Sequence, residues 1–196
     1  CWFRNPERPM MLENRSGQSL GATAYWAAAV RALEHERADR LFSDPWAKAL
    51  AGEVGAAWIA ERSPESVVPI ILRTRYFDDF LLRIVEQCPI RQVVILAAGL
   101  DTRAYRLPWP QGMRFFELDQ AEVLAYKEQV LGMTGAKSAG ARQSIAIDLS
   151  GDWQAALLKF GFDPAQPAAW MLPVLPALMP DMPHNWYVTA QKESHL

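Results

Sequence analysis

The chain is 196 residues long, with 51% hydrophobic and 21% charged residues. That balance fits one folded domain with a sizeable core and excludes a disordered polymer. The formal charge of −2 offers no basic face, so neither nucleic acid nor an anionic membrane is expected as a partner.

No apolar run reaches the ~18 residues of a membrane span. The opening CWFRNPERPMM lacks the layout of a signal peptide. Cys1 and Cys88 make neither a disulfide framework nor a zinc site, and Cys88, beside Pro89, reads as buried. A cytoplasmic setting without a metal is expected.

In chain order, residues 1–18 are polar, contain Pro6 and Pro9, and read as a mobile arm. Leu20 to Glu36 is Ala-rich with helical spacing. Asp39 to Asp44 reads as a loop, and Asp44-Pro45 opens a helix that Gly52 should close. Ser63-Pro64-Glu65 opens another helix, ending near Cys88-Pro89 and interrupted by the polar Arg73, Arg75, Asp78, Asp79 and Arg83. Residues 19–89 therefore form an expected helical cap, with its helices over 20–37 and 65–87 lying across the site as a lid.

From residue 90 the pattern alternates. Strands are expected at 91–97, 113–118, 143–147 and 168–172, with helices between them, at 122–131 and 152–160 among others. This β-α alternation predicts a mostly parallel α/β sheet over 90–196, with ligands beyond the carboxyl ends of the strands. Gly99, Asp119 and Asp148 fall at those ends. After Leu172, Pro173, Pro176, Pro180 and Pro183 break the alternation, and NWYVTA at 185–190 reads as a strand again. The residues flanking Leu172 are expected not to be neighbours in the natural protein.

The turn after the first strand, Ala97-Ala98-Gly99, decides among nucleotide ligands. Its one glycine disfavours NAD or FAD, whose pyrophosphate needs three, and no GxxxxGK[ST] occurs. S-adenosylmethionine carries no phosphate and needs one small turn plus an acid for its ribose hydroxyls. Asp119 stands at the end of the second strand to supply that acid.

The strings SLGATAYWAAAVRALE, LFSDPWAKAL, LRTRYFDDFL, ILAAGLDTRAYRL and FFELDQAEVLAYKEQVL, with the Asp148-Leu149 corner, resemble the leucine carboxyl methyltransferase family, in its bacterial branch of S-adenosylmethionine-dependent O-methyltransferases. The resemblance runs almost unbroken from 18 to 172. It implies a class I, Rossmann-like methyltransferase fold. Asp119 would hold the ribose, while Asp148 would lie near the adenine amine and Leu149 against the ring. Gly99 would let the methionine part lie on the backbone, and Arg73, ahead of Arg75, would pair with its carboxylate. Two departures stand out. Ala97 occupies a position where the family usually has Gly, and the family's Glu-Gly-Leu segment does not follow Trp170-Met171-Leu172.

The expected acceptor is a carboxylate or hydroxyl oxygen on a small molecule or peptide. No catalytic base is identified, which favours a carboxylate. The rivals are a nicotinamide oxidoreductase and a non-catalytic, degenerate methyltransferase-like binding protein.

Overall fold

A computed structural model describes residues 22–172 and 189–191. The expected arm at 1–18, the proline-rich run from Pro173 and residues 185–188 lie outside them. Helix α1 spans Ala22–Glu36, α2 Ala47–Ala60 and α3 Val68–Gln87, the last entered through a tight 3₁₀ turn at Pro64–Val67. Then follow β1 (Gln92–Leu96), α4 (Arg103–Arg106), β2 (Arg114–Asp119), α5 (Ala121–Met133), β3 (Ala141–Ala146), α6 (Trp153–Lys159), β4 (Ala168–Met171) and β5 (Thr189–Gln191).

The sheet order is β3-β2-β1-β4-β5. Strands β1 to β4 are parallel, with Val94 level with Phe116 on one side and Trp170 on the other, and β5 runs antiparallel to β4. The order reverses direction at β1, so the crevice beyond its carboxyl end is a topological switch point, where open α/β sheets bind ligands. The expected Rossmann-like sheet is present.

Side chains alternate across β1. Val93 and Ile95 join Phe115, Ala169 and Met171 on one face, where Phe77, Leu81 and Val85 of α3 cover them. Val94 joins Phe116, Leu118 and Ile145 on the other, against Leu157 of α6. This double burial explains why β1 is an unbroken apolar run. Helices α1 and α2 bury Ala28, Ala29, Leu50 and Ala51 against Leu100 of the turn after β1 and Val130 and Leu131 of α5.

Two expectations change. The helix expected to stop at Gly52 kinks there, at φ 54° and ψ −161°, and continues to Ala60. Gly55 holds the continuation close to α1, because a Cβ there would meet the Tyr25 carbonyl oxygen at 2.8 Å. Cys88 is exposed rather than buried. It caps α3 with extended backbone, the conformation that the following Pro89 favours and one that carries the residue off the helix's buried face.

Candidate active site

The site is built on the turn after β1. Ala97 and Gly99 both have φ of 50°, the left-handed region that favours glycine. A Cβ on Gly99 would lie 3.2 Å from the Ala24 methyl of α1, so conformation and space both select a bare backbone here. The turn is bound to the neighbouring strand, since Ala98 N donates to Leu118 O at 3.0 Å.

Asp119 ends β2 beside this turn. Its Oδ2 accepts a hydrogen bond from Gly99 N at 2.6 Å and its Oδ1 one from Gln120 N at 2.7 Å. Burial raises the Asp119 pKa above the ordinary carboxylate value, while the two backbone donors and Lys127 oppose that rise. An ionised carboxylate has about four acceptor positions, so each oxygen retains capacity for a further donor. Gln120, not Asp119, stands at the N-cap position of α5, without a side-chain capping bond.

Asp148 follows β3 and is exposed, as the segment bends away after Ile147 N donates to Asp119 O at 2.9 Å. Its Oδ1 accepts from Ser150 N and Ser150 Oγ, both at 2.8 Å. Those bonds hold its carboxyl below the usual range. Asp152 caps α6 by accepting from Ala155 N, so Asp148 is not that helix's cap. Leu149 packs partly buried against the Val94–Phe116 cluster.

Arg73 approaches from α3. It is partly buried, and its pKa is lowered to about 10, first by burial and then by repulsion from Arg103 and Arg31, with Asp101 partly offsetting. Arg75 instead pairs with Asp79 at 2.7 Å and donates to Leu41 O at 2.5 Å, an exposed i,i+4 link.

Behind these residues lies a buried ionic network that the sequence pattern did not single out as one. Arg103 Nε donates to Asp78 at 2.8 Å, and its guanidinium also binds Asp101. Arg106 forks onto both Asp78 oxygens at 2.6 and 2.7 Å. Burial pushes Asp101 up, but Arg103, Arg31, Lys127 and Arg106 together bring it to about 2. Under β2, the fully buried Glu117 accepts from Lys127 Nζ at 2.5 Å and Arg142 at 2.7 Å. A signal existed for Asp78. It falls among Ile70, Thr74, Phe77, Leu81 and Val85 on the buried stripe of α3, where an isolated acid demands partners.

The structure thus joins Gly99 to Asp119 directly and links the Asp148 segment to Asp119 through Ile147, while Arg73 stands on α3 near enough to Arg103, Arg31 and Asp101 to feel their charges. Among the described residues, no His/Cys/Asp/Glu cluster suits a metal ion. No helix among them is long and apolar enough to cross a membrane.

Comparison with known proteins agrees with this architecture. A protein of Saccharopolyspora erythraea, named as a candidate S-adenosyl-L-methionine-dependent methyltransferase, is 41% identical over 184 residues, covering 87% of this chain and 62% of the relative. Proteins of Mycobacterium bovis and Mycobacterium tuberculosis with the same description are 43% identical over 167 residues, covering 78% of this chain and 55% of theirs. The chain therefore spans little more than half the length of these curated relatives, and their names carry the cofactor expected from the turn. The description of leucine carboxyl methyltransferase matches residues 24–183, and the chain belongs to that family.

Proposed function

We propose that this chain binds S-adenosylmethionine at the β1–β2 corner and takes part in methyl transfer to an oxygen acceptor. The observation that carries the reading is the Gly99–Asp119 hydrogen bond. It sets a carboxylate with spare acceptor capacity against a backbone where a side chain would be both strained and crowded. Those features suit a ribose with two vicinal hydroxyls beside a chain lying on main-chain atoms. Arg73 suits the methionine carboxylate, because the guanidinium fork matches a carboxylate's two oxygens. Asp148, ionised, suits an amine donor, and Leu149 an aromatic ring.

Bound here, the cofactor supplies an electrophilic methyl on a sulfonium. The protein's part is to align the acceptor and exclude water, worth at most ~7–11 kcal/mol. A carboxylate acceptor is already nucleophilic at neutral pH and needs no base. Among the described residues the single histidine, His35, is engaged with Ser43 Oγ at 3.0 Å, and the reading takes a carboxylate on a small molecule or peptide as the acceptor. The reading includes a cytoplasmic setting.

Calorimetric titration with S-adenosylhomocysteine tests it. One site per chain is expected, with no response to NADH. A chain that binds neither would be the degenerate relic, and one that binds NADH alone the oxidoreductase.

A further inference from the structure

We infer that Asp44 and Thr102 are positioning residues that lock the cofactor turn to the N-terminal helices, so that α1 and the loop after it set the affinity for the adenosyl ligand. The inference rests on the reading above, that the turn from Ala97 to Thr102 carries that ligand.

Asp44 lies between α1 and α2 and is fully buried. Its Oδ2 accepts from Thr102 Oγ1 at 2.6 Å and from Arg31 Nε of α1 at 2.8 Å. The same Arg31 donates through Nη2 to Leu100 O at 2.7 Å. One carboxylate and one guanidinium thus hold the turn at two points, the Leu100 carbonyl and the Thr102 hydroxyl.

Asp101, between those points, is held from the opposite side. Its N donates to Ala98 O at 3.0 Å, and its carboxylate accepts from Arg103 N at 2.7 Å and from the Arg103 side chain, which reaches Asp78 of α3. The turn is therefore clamped between α1 and α3.

The clamp has a physical reason. With φ of 50°, Ala97 lies in the left-handed region that a residue with a Cβ rarely adopts, and such conformations persist only where their surroundings over-determine them. The direction of the Gly99 N–H toward Asp119 depends on this turn. The first helix-start signal, Asp44-Pro45, is thus displaced from its expected use. Trp46 stands at the N-cap position of α2 without a side-chain capping bond, and the Asp44 side chain serves the turn instead.

The test is binding of S-adenosylhomocysteine, measured in the cold on proteins shown to be folded. Thr102→Val keeps the shape and removes the donor to Asp44. It should weaken binding by ~10-fold, the size of one hydrogen bond to a charged group. Thr102→Ser should restore the wild-type value. Arg31→Gln should act in the same direction from a different element. Met113→Ala, a cavity at the amino edge of the sheet, opposite the strand ends that form the site, should lower thermal stability and leave affinity unchanged. If Thr102→Val or Arg31→Gln loses stability without losing affinity, as Met113→Ala does, the positioning role is refuted. Wild-type protein supplies a readout that needs no variant. The ligand should slow amide hydrogen exchange across residues 41–47, beyond the slowing seen at the C-terminal end of α3, residues 83–87, and equal slowing in both would refute the link. Loss of binding in the wild type itself would instead refute the cofactor reading.

Discussion

Gly99 N donates to Asp119 Oδ2 at 2.6 Å, joining the turn after β1 to the end of β2 across 20 positions of sequence. This bond fixes the carboxylate's rotamer before any ligand arrives. Pre-setting an acceptor in this way reduces the ordering that binding must offset. Asp119→Ala removes the acceptor and should weaken S-adenosylhomocysteine binding by ~10- to 100-fold, the range for a charge-assisted hydrogen bond. Isothermal calorimetry checks it, and unchanged affinity would move the ribose elsewhere.

Asp119 should also give that binding an acid limit. Burial raises its pKa above the usual carboxylate value. As the pH falls through that raised value the carboxylate takes up a proton and loses acceptor capacity, so affinity should decline at a pH above the ordinary ~3.9 for Asp. Asp119→Asn should flatten the profile at a lower plateau. A wild-type profile that stays level down to the ordinary value would contradict the assignment.

Asp101 works in the opposite sense on stability. Its folded pKa is about 2, below the ordinary value near 3.8, because Arg103, Arg31, Lys127 and Arg106 outweigh burial. A depressed folded pKa contributes stability that is complete above the unfolded value and is lost as the pH falls toward the folded one. The contribution should be about 2 kcal/mol at neutral pH, disappearing between about pH 4 and pH 2. Denaturant unfolding of wild type and Asp101→Asn across that window measures it. The variant's curve should lack this share of the acid slope.

Ala97 is a methyl-bearing residue at φ 50°. The left-handed conformation costs an L residue roughly 1–2 kcal/mol, which glycine avoids while losing more backbone entropy on folding. Ala97→Gly should therefore be neutral to stabilising, by up to about 1 kcal/mol, where glycine in an ordinary position would destabilise. Thermal unfolding decides the sign.

The parts of the molecule set by local chemistry were legible in the sequence. Four consecutive apolar residues from Val93 to Leu96 gave β1, and Asp152 and Gly161 marked the ends of α6. Asp119 and Gly99 were legible as a pair because each stands where a strand ends. Parts set by contacts distant in sequence were not. Nothing local distinguishes a glycine that closes a helix from one that kinks it, so Gly52 was read as a stop, although Tyr126 of α5 lies against it. Asp44 resembles a cap, and only the fold reveals Thr102, 58 positions away, as its partner. Buried charges such as Glu117 and Lys127 follow the same rule, because each is tolerable only once the sheet brings its partner close.

A crystal structure with S-adenosylhomocysteine tests the central claim most directly. Both ribose hydroxyls should lie within hydrogen-bonding distance of the Asp119 carboxylate, with the amino-acid tail over Gly99 and its carboxylate on Arg73. Ligand density at any other place, with Asp119 touching only Gly99 and Gln120, would contradict the account.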